Sequence, residues 1–413
     1  MRLTYWLLFA VYAANYLDRQ IFGIMLEPIR EDLALSDHQM GLLSGLAFSI
    51  AFGLAALPAS LLAAVGNRRN LVAVSAILWG GITLASGLAT SFVQLFLARS
   101  ALAVAEAVSV PASHSIISDS AQTGSRVRRF GIFTSGAAVG GVMAVVVGGI
   151  VGERFGWRVA MAVAGAIAIL PGLLLFLVAE PRRDYVTPKR DRRFPGVFGV
   201  VAWTVWFDRR ARLSFLAKVI NQIVLAGAAA WYPAFLMREH DFSQVETATM
   251  VAFGGLLAIL GTIVSSRVIA RLANGNRAWL VRGPAALIIL SKPFSLLFLT
   301  ADNPVVVLVA FVVPATFALA TFPPTISLLH ELVRPAERPV VSALLTSMVT
   351  VVGLGFGPTI VGIVSSAIGG TASLSIALIA LHGFGLVAAF LYWIAEPHAA
   401  VKRASAETDL DRV

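Results

Sequence analysis

The chain has 413 residues, 58% of them hydrophobic and only 13% charged, with a mean hydropathy of +0.83 and a net charge of +10. Soluble domains carry about 25% charged residues, so this composition excludes a soluble globular protein and predicts a polytopic membrane protein. With no cysteine, the chain has no disulfide, thiolate metal site or cysteine nucleophile; its basic excess sits in short loops between apolar runs, which points to membrane orientation and away from nucleic acid.

The first apolar run, residues 4–26, is long enough to cross a hydrocarbon core of roughly 30 Å, which needs about 20 helical residues. It contains Asn15-Tyr16-Leu17-Asp18-Arg19, two opposite charges at membrane depth. With these charges and no small-residue cleavage site, it reads as a retained helix and not a signal peptide. On a helical wheel Tyr12, Asn15, Tyr16, Asp18 and Arg19 share a sector of about 160°. Charges at that depth are expensive and persist where they face a polar interior and have partners. The face therefore reads as the lining of a wet cavity, or as a static Asp–Arg pair that orients the helix.

Eleven more spans follow: 39–64, 71–90, 92–113, 130–151 and 159–178, then 213–236, 249–272, 279–299, 305–329, 340–368 and 372–395. The layout of six, linker, six predicts an all-α membrane protein of two related six-helix bundles, 1–179 and 213–396, joined by a basic linker, 180–212, and ending in a tail, 397–413. With the N-terminus cytoplasmic, the inner segments hold 23 lysines and arginines and the outer segments four. That bias places both termini on the cytoplasmic side of the plasma membrane. Within the linker, residues 195–207 are apolar with Trp203 and Trp206, too short to span. They read as a helix lying on the inner leaflet, where membrane lipids would meet the flanking basic clusters, or as an unstructured linker with a sticky patch. The fifth span (Gly136, Gly140, Gly141, Gly148, Gly149) and the eleventh (Gly353, Gly355, Gly357, Gly362) are both glycine-rich, consistent with duplication and close helix approach.

In the fourth span Arg99 and Glu106 are two turns apart, about 10 Å along one face. Counted from the outer ends, Arg99 lies at the depth of Asp18, so Arg99–Asp18 and Arg19–Glu106 pairs are geometrically available. A static four-charge lock is the alternative to a working site. Desolvation raises a carboxylate pKa and a nearby guanidinium lowers it, so moving an Arg changes proton affinity. Asp18, Glu106, Arg19 and Arg99 are thus the expected proton-coupling residues. Arg19, Arg99, Asn15 and Tyr16, together with Asn221, Gln222, Trp231 and Tyr232 of the seventh span, are the expected substrate-binding residues. Arg99 or Arg19 would hold an anionic head, and Trp231 and Tyr232 an apolar tail. Thr316, Thr321 and Thr325 add hydroxyls in the tenth span. Lys218 is expected to snorkel, Lys292 has no role that the sequence defines, and His114, His330 and His382 read as structural. No phosphate loop, paired metal-ligating histidines or nucleophile elbow occurs, so no enzyme, metal or cofactor is expected.

Together NYLDRQ (15–20), EPIREDL (27–33), LSDHQMGLLSGLAFS (35–49), GNRR (66–69), Glu106 with PASHSIISD (111–119), FGWR (155–158) and GLGFGP (353–358) resemble the bacterial spinster-like branch of the major facilitator superfamily. The resemblance implies twelve helices in two pseudo-symmetric bundles, alternating access about a midplane site, and a cavity lined by helices one, four, seven and ten. It also implies lysophospholipid or sphingolipid-phosphate-like substrates, with the family's charged positions falling on Asp18, Arg19, Arg99 and Glu106. Ala63 and Ala64 replace the Asp-Arg pair of the superfamily's inner loop signature, and Ala270-Arg271 lacks the Asp in the second half. Ala103, Ala105 and Val108 stand where relatives often have glycine. The function expected is a monomeric, proton-coupled secondary transporter of an amphipathic anion. Transport of a small organic or sugar acid is the alternative, and a non-transporting sensor or scaffold a further one.

Overall fold

The computed structural model describes residues 2–120, 126–180, 205–334 and 337–395; most of the expected interfacial segment and the C-terminal tail lie outside them. The described residues form helices and short connections, with no strand among them. Ten helices are long and apolar enough to cross a membrane. One of these, Arg128–Leu175, is 48 residues long and holds the fifth and sixth crossings. It reverses at Gly156, whose φ of 83° and ψ of 164° only glycine adopts without strain. The first helix, Arg2–Ile24, brings the number to twelve. Its polar stretch Asn15–Gln20 keeps it out of the ten.

Three crossings are broken where the sequence reads as continuous. The second consists of Asp37–Ser44 and Leu46–Val65, separated at Gly45. Its start is fixed by a capping box in which Ser36 and Gln39 satisfy each other's backbone N–H groups. The fourth consists of Phe92–Glu106 and Ser109–Ser120, and the tenth of Pro304–Phe317 and Phe322–Glu331. Both of the latter breaks have the same cause. A proline removes the bond to the carbonyl four residues back and crowds it. Pro111 acts on Ala107, while Pro323 and Pro324 act on Leu319 and Ala320. The broken turns are thus at corresponding crossings of the two halves, and non-helical backbone at membrane depth is tolerated where it meets protein or a wet cavity. The fifth and eleventh crossings also correspond, each containing a π-helical stretch, Val145–Val151 and Val349–Gly353.

The two halves meet tightly along the second and eleventh crossings. A Cβ on Gly41 would lie 2.8 Å from the Pro358 carbonyl oxygen, and one on Gly362 would collide with the carbonyl of Asp37. The hydrogen bonds joining the halves cluster at the end where the first helix finishes. There Arg238 bridges Glu27 (2.7 Å) and Asp37 (2.9 Å). Ser365 donates to Asp37 at 2.6 Å, and the His38 N–H donates to Ser366 at 2.7 Å. At the opposite end the ion pairs stay within one half. Arg68, fully buried, binds Asp119 and Glu180, and Arg277 pairs with Glu331.

Candidate functional site

The turn of the first helix at residues 15–20 faces the break in the fourth crossing. Asp18 is buried, accepts a hydrogen bond from the Thr83 hydroxyl on one oxygen, and has its other oxygen 4.0 Å from Arg99 Nη1. The Arg99 guanidinium lies over the Phe22 ring at 4.0 Å and beside Phe48 at 5.3 Å. Such ring faces attract a desolvated cation. Arg19 donates through Nη2 (3.1 Å) and Nε (3.3 Å) to a single oxygen of Glu106. That carboxylate is buried, whereas the Arg19 side chain is 36% exposed. The second oxygens of Asp18 and Glu106, Nε of Arg99 and the amide nitrogen of Asn15 make no hydrogen bond among the described residues. Each carboxylate thus has one oxygen hydrogen-bonded and one without a hydrogen bond among the described residues, and Arg19 is the most exposed of the four charged side chains. Tyr16 is half-buried, with its ring 5.1 Å from that of Tyr12.

The second half contributes a cavity of about 300 Å³ lined by the seventh, eighth, ninth, tenth and twelfth crossings, with Gln20 reaching in from the first. Asn221, Tyr232, Thr321, Lys292 and His382 line it among mainly apolar neighbours such as Val224, Met250 and Phe311. Asn221 donates to Thr321 at 3.4 Å, and Gln222 accepts from Lys218 at 3.2 Å.

Two expectations from the sequence are corrected by this arrangement. Trp231 does not line the cavity. It is fully buried and donates its indole N–H to the Pro358 carbonyl at 2.9 Å, tying the seventh crossing to the eleventh. Lys218 does not snorkel, because its ammonium is buried against Gln222 and Thr321. His382 is, as expected, a histidine with both ring nitrogens satisfied. Its Nδ1 meets Lys292 at 3.1 Å and its Nε2 meets the Tyr232 hydroxyl at 2.8 Å, at the cavity wall. The signal for this trio was present in the mid-span Lys292, which had no acidic neighbour in sequence. His114 packs edge-on against Phe130 and Phe133, and His330 bonds Ser342 at 2.7 Å.

A family model described as Major Facilitator Superfamily matches residues 8–353. Among solved structures, a bacterial homolog of the human lysosomal transporter Spinster, in an inward-facing and unoccupied conformation, superposes with a TM-score of 0.84. It is 25% identical, over 96% of this chain and 98% of that one. An MFS-type efflux pump of Mycolicibacterium smegmatis is 28% identical over 92% of this chain and 89% of its own length. A probable L-galactonate transporter of Escherichia coli is 24% identical over 66% of this chain and 62% of its own. Fold, membrane crossings and family model agree: the chain belongs to the Major Facilitator Superfamily, as a spinster-like transporter within it.

Proposed function

We propose that this transporter is proton-coupled and moves an amphipathic anion, with coupling in the first half and most of the substrate contact in the second. The observation that carries this reading is the pair of carboxylate–guanidinium contacts, Asp18–Arg99 and Arg19–Glu106, beside a largely apolar cavity. Asp18 and Glu106 are the proton acceptors, each with an open oxygen. When Arg19 leaves Glu106 for the cleft, the buried carboxylate loses its counter-charge and takes up a proton, because an uncompensated buried anion is costly. When Arg19 returns, the proton is released. A similar exchange between Arg99 and Asp18 links the two pairs. Asn15, Tyr16, Asn221, Gln222 and Tyr232 supply the uncharged polar contacts.

The basic bias assigns the end holding Arg68 and Arg277, with both termini, to the cytoplasm of a cell whose plasma membrane the protein spans as a monomer of two six-helix bundles. The Arg238 bridge then closes the outer side, and the cleft opens inward. A second reading, transport of a compact sugar acid, draws support from the similarity to the probable L-galactonate transporter. The apolar walls of the cavity favour the amphiphile. The test is uptake into proteoliposomes under an imposed pH gradient for a series of alkyl phosphates beside galactonate. Transport that rises with chain length supports the amphiphile, at about 0.8 kcal/mol per buried CH₂ until the cavity is full. Tight handling of galactonate without chain-length dependence replaces it with the sugar-acid reading.

A further inference from the structure

The two halves balance buried charge differently. In the first half both buried carboxylates face guanidinium groups. In the second half Lys218 is buried and Lys292 half-buried in their helices, and no ion pair joins either to a carboxylate among the described residues. Lys218 has an amide oxygen and a hydroxyl as acceptors, Gln222 and Thr321, each at 3.2 Å. Lys292 has only the His382 ring nitrogen at 3.1 Å, and it lies on the cavity wall.

Donor and acceptor counting fixes the direction of this chain. An ammonium has three donors and no acceptor, so Nδ1 of His382 accepts from it. The neutral ring then carries its proton on Nε2 and donates to the Tyr232 oxygen, 2.8 Å away. The Tyr232 hydroxyl proton and two ammonium protons are left without acceptors among the described residues. Among the described residues no hydrogen bond runs from Lys292 or Tyr232 to the neighbouring hydroxyls of Ser291 and Ser295, which themselves donate to the carbonyls of Ile288 and Ser291 in their own helix. The ammonium is seated over Gly385, where a Cβ would collide with Nζ. The result is a small cluster of unspent donors and one positive charge, held on three helices beside apolar residues.

Resting on the transporter reading above, we propose that Lys292 and Tyr232, oriented by His382, receive the anionic group of the substrate, and that the ligand class is a single-headed anionic amphiphile. A phosphate or carboxylate accepts charge-assisted bonds from Nζ and the hydroxyl, while the alkyl body lies along Val224, Met250 and Phe311. At about 300 Å³ the cavity is near the lower limit of small-molecule sites, which run from about 300 to 1,000 Å³. It therefore takes one chain of limited length. The head thus sits on the wall opposite the four paired charges, where Arg99 is held by Asp18 and two phenylalanine rings.

The test uses the full chain in nanodiscs of zwitterionic lipid, with decyl phosphate, decyltrimethylammonium and decyl maltoside as probes and calorimetry as readout. Wild type is expected to prefer decyl phosphate over the cation. Lys292→Met is expected to weaken decyl phosphate about tenfold to a hundredfold, the worth of a charge-assisted hydrogen bond, and to leave decyl maltoside within about twofold. Lys292→Arg retains most of the affinity. Gly385→Ala keeps the charge but displaces it, so a several-fold loss there carries the result even if Lys292→Met fails to fold. Decyl phosphate binding undiminished in both Lys292→Met and Gly385→Ala overturns the site alone. Failure of wild type to bind decyl phosphate overturns the amphiphile reading, and the site with it.

Discussion

The two walls of the cleft solve the problem of buried charge in opposite ways. On the first, Asp18, Glu106, Arg19 and Arg99 compensate one another in crossed pairs. On the second, Lys218 and Lys292 are tolerated with neutral partners only. A compensated set can pass a proton and shift an arginine at little net cost. An uncompensated cation instead leaves a vacancy that an anionic ligand can fill. That difference is the ground for the proposal that coupling belongs to one half and recognition to the other within a pseudo-symmetric frame.

Deleting single charges is the harshest way to break the comparison. Arg99→Met leaves Asp18 buried without its cation and should cost about 3–5 kcal/mol, as removal of one partner from a buried ion pair does. Lys292→Met orphans no carboxylate and should leave stability unchanged or raise it. Thermal denaturation in detergent checks both, and Asp18→Asn combined with Arg99→Met should recover much of the loss. Equal destabilisation by Arg99→Met and Lys292→Met would erase the distinction.

The next effect lies at the Arg238 bridge. Arg238 joins Glu27 and Asp37 across the halves while only 18% exposed. Arg238→Gln should shift the balance towards the outward-open form by at least about 2 kcal/mol, more than tenfold in population. Pair-distance measurements between labels at residues 34 and 369 report it. An unchanged distribution would show that the glycine contacts of Gly41 and Gly362 close this end unaided.

A smaller effect is expected within the first half. Asp32 accepts from Arg158 and from the Trp157 indole, and the Arg158 hydrogen bond holds its carboxyl below the usual range. A depressed folded pKa stabilises above the unfolded value of about 3.9 and is lost as pH falls through the folded one. The pair is solvent-screened, so Asp32→Asn should change melting by at most a degree or two near neutrality, about 0–1 kcal/mol. The mutant and wild-type melting curves should begin to converge below about pH 4 and meet only below the depressed folded pKa.

Much of this was legible in the sequence because lipid imposes strong rules. Apolar length gave the number of crossings, although Gly156 sets the reversal between the fifth and sixth. The charges of Asn15–Arg19 and of Arg99 and Glu106 marked the first wall, since a charge in an apolar run stands out. The breaks at 107–108 and 318–321 were implicit in Pro111 and Pro323-Pro324, read four residues back. The second wall was harder to read. Lys292, His382 and Tyr232 are 60–150 residues apart, and nothing local shows that they meet. Trp231 misleads for a related reason: an indole has both an apolar body and a donor, and here the donor found the Pro358 carbonyl in a packed helix interface.

If proton coupling and substrate recognition reside on different walls, Asp18→Asn separates them. Decyl phosphate-driven proton flux and the exchange of labelled decyl phosphate would be recorded together in the same proteoliposomes. Asp18→Asn should abolish proton flux and retain exchange, because the amide mimics the protonated acid while Lys292 and Tyr232 are untouched. Proton flux at the wild-type level in that variant would contradict it.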